Sequence, residues 1–130
     1  MTAFTTLSEM IARQRSDAIA ITAPSAKPLS YGALNALVGR TVQTLNGLGI
    51  GRGDRVGLVL PNCPEMATAF VAVAGACTCA PLNMAYRADE FEFYLSDLNA
   101  KALIVAQGSE TPARTGWSTR QGAATRPGRS

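Results

Sequence analysis

Chemistry in this sequence would have to come from three cysteines, nine carboxylates, two lysines and three tyrosines, because it contains no histidine. That absence excludes Ser-His-Asp triads, Cys-His nucleophiles and His-ligated metals together. Cys63, Cys77 and Cys79 sit inside apolar segments, and no second cysteine pair completes a tetrahedral thiolate site. They read as reduced, buried thiols of a cytoplasmic chain. Asp89, Glu90 and Glu92 are spaced i, i+1 and i+3, and at a helix start such carboxylates favour the helix dipole and solvate an outer face. Nothing in the sequence argues for the perturbed pKa that an acid or base catalyst needs. Tyr31 and Tyr94 read as amphipathic anchors on helices.

The glycines Gly47, Gly49, Gly51 and Gly53 invite a dinucleotide-binding reading, but no G-x-G-x-x-G frame fits them. They also precede a strand, whereas that fingerprint follows one and opens a helix onto pyrophosphate. Neither Lys27 nor Lys101 follows a glycine-rich loop, so a Walker-type phosphate loop is absent as well. Arg52-Gly53-Asp54 could be an adhesion signal. Its place between a glycine-stopped helix and a buried strand, with no secretory signal or disulfide framework, makes it a turn instead. No catalytic, cofactor-binding or metal-ligating residue is assigned from the sequence.

The elements behind these residues are well marked. Thr6 to Glu9 has capping-box spacing before Leu7, Met10 and Ile11. "AIAIT" reads as a short strand closed by the loop "APSAKP". A 3.6-residue stripe of Leu34, Leu37, Val38, Thr41, Val42, Leu45 and Leu48 predicts a helix with Ser30 as N-cap and Gly47 or Gly49 as its stop. "RVGLVL" is a strand covered on both faces. Pro64 opens a helix, "EMATAFVAVAGA", apolar almost all round and therefore expected to be buried. "CTCAPLN" is a strand, "ADEFEFYLSDLN" an amphipathic helix and "ALIV" a buried strand. Alternation of this kind predicts an α/β domain with a mostly parallel sheet flanked by helices.

Length and charge set the outer limits. The 130 residues suffice for one domain. Residues 1 to 107 balance eight basic against eight acidic side chains, and the net charge of +3 lies wholly in residues 108 to 130. The body therefore has no basic stripe, and nucleic-acid binding is not expected. Residues 66 to 86 carry no formal charge and are long enough for a membrane span. Their Ala, Gly and Thr content with Pro81 and Asn83 argues instead for a buried helix followed by a strand. The start of the chain has no uninterrupted apolar core, so a signal peptide is not expected.

Three segments taken in order, "LSYGALN", "LGIGRGDRVGLVLPNCPEMATAFVAVAGA" and "CAPLNMAYRADEFEFYLSDLNAKALI", resemble the opening of the AMP-forming acyl-CoA synthetases, the adenylate-forming ligases. The resemblance covers about residues 5 to 107. It implies the N-terminal subdomain of a synthetase, incomplete here, from a family that joins a carboxylate to coenzyme A through an acyl-adenylate. ATP, Mg and CoA belong to that parent family. None is expected to bind this chain, because the family's phosphate loop, metal segment, ribose-binding Asp and catalytic Lys would all lie beyond residue 107. The acid is expected to be fatty or otherwise hydrophobic, and the chain inactive alone. Gly32-Ala33 and Arg87 depart from the family's pattern.

After Val105 the sequence changes character. Residues 108 to 130 contain no Val, Ile, Leu, Met or Phe, and such a basic segment is expected to be disordered, as an out-of-frame or truncated end would be. A sheet cut short leaves an apolar edge, so self-association or pairing with another chain is expected. The alternative to a silent ligase fragment is a non-catalytic interaction module.

Overall fold

The computed structural model describes Ala3, residues 6 to 106 and residues 112 to 124. Within them the chain divides into two compact units, Met1–Gly53 with Asn62–Cys79, and Asp54–Pro61 with Ala80–Ser130.

The first unit holds α1 (Leu7–Ala12), a two-stranded antiparallel ribbon of β1 (Ile19–Ile21) and β2 (Leu29–Ser30), α2 (Tyr31–Gly47) and α3 (Pro64–Ala74). Thr6 caps α1 by accepting the Glu9 N–H at 3.0 Å, as the capping-box spacing predicts. Ser30 caps α2 in the same way through Ala33 N–H at 3.2 Å, a contact typically worth about 1 kcal/mol. The stripe along α2 buries Leu34 and Val38 against Ile11 and Ala72, with Ile21, Leu29 and Val42 packed around them.

The departure at Gly32 has a local cause. Its N–H donates to the Ser16 carbonyl at 3.0 Å, and a Cβ there would lie 3.1 Å from that oxygen. The ribbon is the element not foreseen: "AIAIT" does form a strand, but it pairs antiparallel with a two-residue strand that merges into α2.

The second unit is built on a three-stranded parallel sheet in the order β4-β3-β5, comprising β3 (Arg55–Val59), β4 (Thr78–Pro81), whose first two residues belong to the other unit, and β5 (Ala102–Val105). β3 and β5 run in register from Val56 opposite Ala102 to Val59 opposite Val105. Helices α4 (Ala88–Asp97) and α5 (Pro112–Ala124) flank the sheet. Val56 and Leu58 are fully buried, as a doubly covered strand requires.

At Gly57 a Cβ would lie 2.8 Å from a Leu95 methyl, so glycine lets α4 press onto the sheet. Phe91 and Leu95 are fully enclosed with Val59, Ala100 and Ala113. Full burial of such side chains stabilises by about 1.5–3 kcal/mol each.

Helices α2 and α4 end alike. After α2, Gly49 takes φ +81° and the N–H groups of Gly49 and Ile50 return to the carbonyls of Asn46 and Leu45. After α4, Asn99 takes φ +50° and the N–H groups of Asn99 and Ala100 return to Ser96 and Leu95. Each is a Schellman motif, and the residues whose apolar contact commonly accompanies it, Leu45 and Ile50 or Leu95 and Ala100, are buried.

Two expectations need correction. α3 is not buried all round: only Ala72 and Val73 are fully enclosed, and Phe70 remains 39% exposed. Val71 and Ala72 pack on the first unit's core, while Glu65, Ala67 and Phe70 are exposed. Disorder was expected from residue 108, yet residues 112 to 124 form α5. There Ala113 is wholly buried and Trp117 packs on the Phe91 cluster. The remainder of that expected tail, 108 to 111 and 125 to 130, lies outside the described residues. No described helix is long and apolar enough to cross a membrane, and residues 66 to 86 divide between α3 and β4, the helix-then-strand reading.

Candidate functional site

The glycine series ends α2 and turns the chain toward β3, with positive φ at Gly49 (+81°) and Gly53 (+90°). It opens no helix, so its N–H groups do not form a phosphate cradle at a helix start. Asp54 of the Arg-Gly-Asp triplet is held by Lys101, Oδ1 to Nζ 3.4 Å, which engages it in the fold.

The carboxylates at the start of α4 act locally. Glu90 Oε1 accepts the Arg87 N–H at 3.2 Å and meets Arg87 Nε at 3.2 Å, while Asp89 lies 3.4 Å from the same guanidinium. Arg87 has no acceptor with which to cap the helix. The third residue of α4 supplies the other half of a capping box, its carboxylate accepting the Arg87 N–H, and the bond that a Ser or Thr N-cap would accept from the first turn is not made. Tyr31 packs on the first unit's core. Tyr94 stacks on Tyr86 at 4.9 Å, and Tyr86 is the leading cause of a raised Tyr94 hydroxyl pKa.

Glu65, in the first turn of α3, is held below the usual carboxylate range by a backbone hydrogen bond and then by the Cys63 thiol. The three cysteines are half-buried and reduced. Burial, then Cys77, pushes the Cys79 thiol up to about 11. Among the described residues no group of three or more carboxylates or cysteines could hold a metal. No buried side-chain polar atom among them is left without a hydrogen bond.

Two concavities could matter. One, in the first unit, has a volume of about 430 Å³ and runs between Thr6–Leu7–Ser8, Arg52–Gly53 and the stretch from Ala74 to Thr78. The other, in the second unit, is about 230 Å³ and opens at the carboxyl ends of β3 and β5, between Val59, Pro61, Phe91, Ala106, Pro112 and Ala113. Ligands of parallel α/β sheets bind at strand carboxyl ends, which makes this the candidate site. It offers no acid, base or nucleophile, and can only hold an apolar group. Sequence reasoning missed its Pro112 and Ala113 wall, although a proline at the first helical position is a start signal.

The described residues do not fit Mg-ATP. Lys101 is engaged by Asp54, the glycines lead into a strand, and the acids of α4 are tied to Arg87.

The model of the AMP-binding enzyme family matches residues 8–126. The chain is 39% identical over 110 residues to an oxalate–CoA ligase of Arabidopsis thaliana, an alignment covering 83% of this chain and 21% of that protein. It is 40% identical over 78 residues to the long-chain-fatty-acid–CoA ligase FadD13 of Mycobacterium tuberculosis, covering 58% and 15%. The crystal structure of the N-terminal domain of FACL13 from Mycobacterium tuberculosis superposes with a TM-score of 0.75 at 28% identity, over 96% of this chain and 32% of that one. The chain thus spans between 15% and 21% of the length of these two curated relatives. With the family match running through both units, from α1 into α5, the chain belongs to the AMP-binding enzyme family.

Proposed function

We propose that this chain is a portion of an AMP-forming acyl-CoA ligase for a fatty or otherwise hydrophobic acid, acting in the cytoplasm and inactive by itself. The observation that carries the reading is the family match over residues 8–126, together with identity near 40% to CoA ligases. The apolar wall of the cleft at the ends of β3 and β5 supports the acid class, as does the long-chain-fatty-acid ligase among the relatives. Inactivity follows from the poor fit of these residues to Mg-ATP. A ligase must place charge-neutralising donors and metal around the phosphates, and nothing in the described residues does so.

The test is pyrophosphate release with ATP, Mg, CoA and a panel of acids from oxalate to palmitate. The chain is assayed alone and then mixed with a fatty-acid ligase lacking the matching segment. Release only in the mixture, and with palmitate above oxalate, is the expected result. Release by the chain alone would overturn the inactive part, and a preference for oxalate would overturn the acid class.

A second reading, a non-catalytic fragment that pairs with another chain, is favoured by exposed Ile19, Leu48 and Phe93 and by β4 and β5 lying at the edges of their sheet. Sedimentation across a concentration series checks it, since a concentration-independent monomer that captures no ligase chain would remove this reading.

A further inference from the structure

The apolar cleft at the ends of β3 and β5 does not stand alone. Met84 and Pro112 line it, and they also line a wider, more open depression of about 530 Å³ in the same unit, bordered by Tyr86, Arg87 and Thr115. The two hollows adjoin at that pair, and their chemistry differs. In the cleft, Val59, Phe91 and Ala113 are each at most 5% exposed, and the one side-chain acceptor is the weakly accepting sulfur of Met84. No side chain there gives a water the roughly two to four polar partners that hold one in place. In the depression, Arg87 is the one charged lining residue among those described, and Asp89 and Glu90 already face its guanidinium at 3.4 and 3.2 Å. Neither hollow therefore offers an uncompensated positive charge to a carboxylate.

We propose that the cleft binds a compact, uncharged aromatic ring of benzene size, and that the bound ring ties α5 to the end of the sheet. An apolar cavity of about 150 Å³ is enough to take benzene, whereas drug-sized ligands need about 300–1,000 Å³. At about 230 Å³ the cleft lies between these limits. The Phe91 ring already meets Tyr86 edge to face at 5.6 Å, so an aromatic guest extends an existing cluster. Met84, 47% exposed, supplies an unbranched thioether that settles against the ring. Pro112 and Ala113 belong to α5 and Val59 to β3, so the guest touches both and binds only while α5 is docked. By mass action, a guest at about ten times its Kd favours the docked form about 11-fold. The site rests on the cleft and not on the ligase reading, because a neutral ring needs neither ATP nor CoA.

The test uses the full chain with benzene, followed by intermolecular NOEs and by Trp117 emission during urea unfolding. Saturable binding is expected, with NOEs from the benzene protons to the methyl groups of Val59, Met84 and Ala113, a readout that needs no variant to fold. The urea midpoint should rise in step with saturation. Benzoate should bind roughly tenfold more weakly or worse, since nothing pairs with the carboxylate it brings. Met84→Ala, at an exposed position, should weaken benzene by roughly two- to tenfold, the range of a thioether–aromatic contact. Phe93→Ser removes the most exposed aromatic ring of α4 and should leave binding unchanged. Benzene that fails to saturate, NOEs confined to Phe93, benzoate that binds as tightly as benzene, or a midpoint that benzene does not move overturns the proposal. So does binding that fades as the chain is concentrated, the sign that a second copy fills the cleft.

Discussion

Replacing Gly116 by alanine places a methyl group where α4 and α5 touch most closely. The added Cβ would lie 2.6 Å from the Ala88 carbonyl oxygen, 2.7 Å from Phe91 Cβ and 2.8 Å from the Glu92 nitrogen. Two of these neighbours are backbone and the third is a Cβ, so none can rotate aside, and the helices must separate. Overpacking of that kind costs about 1–3 kcal/mol, and its upper half applies where nothing can yield. Alanine returns up to about 1 kcal/mol of helix propensity. The net expectation is a loss of about 1–2 kcal/mol.

Gly39 in α2 provides the control, because nothing lies within 4 Å of a Cβ built there and Gly39→Ala should gain about 0.5–1 kcal/mol. Trp117 is the only tryptophan and packs on the Phe91 cluster, so its emission in a urea titration reports whether α5 is docked. The midpoint should fall for Gly116→Ala and rise for Gly39→Ala with unchanged slope. If the two variants shift alike, or if Trp117 emits as a fully hydrated indole before any urea is added, α5 does not dock on α4 and the argument fails.

Ser30→Ala should cost about 1 kcal/mol in the same titration through loss of the α2 cap. Asn99→Ala should cost a fraction of the about 1–2 kcal/mol left-handed penalty, because alanine keeps the Cβ conflict asparagine already bears at φ +50° and loses the short polar side chain that offsets it, while Asn99→Gly, which removes the Cβ, should be neutral or stabilising. The Cys79 pKa is raised from 9.0 to about 11 in the fold. Its contribution is therefore present below the unfolded value and lost as pH rises from 9.0 toward 11, a slope that Cys79→Ala should abolish in alkaline melts. Glu65 has the opposite sign: its folded pKa is depressed, so its contribution is present above the ordinary carboxylate range and lost as pH falls through the lowered value. Acid melts of Glu65→Gln should lack that increment.

Most of the fold could be read from the sequence because its elements announce themselves locally. Caps at Thr6 and Ser30, the period of α2, the proline opening α3 and the continuous apolar run of β3 each depend on neighbours a few residues away. The ribbon could not be read this way, since β2 has two residues and is defined by its partner. The larger miss, α5, comes from how burial was judged. A segment without Val, Ile, Leu, Met or Phe was expected to bury nothing, yet burial also follows from how closely two backbones approach. At α5 the contact is made by Ala113 and Gly116, whose small side chains bring the helix against Ala88 and Phe91, with Trp117 supplying the single large apolar surface. Close approach multiplies dispersion contacts without needing aliphatic bulk. Ala113 also leaves room beside Val59 and Pro61 for the apolar cleft. The candidate site was therefore invisible for the reason its wall was. No titratable or nucleophilic side chain lines it, and its shape is set by residues whose significance lies in what they lack.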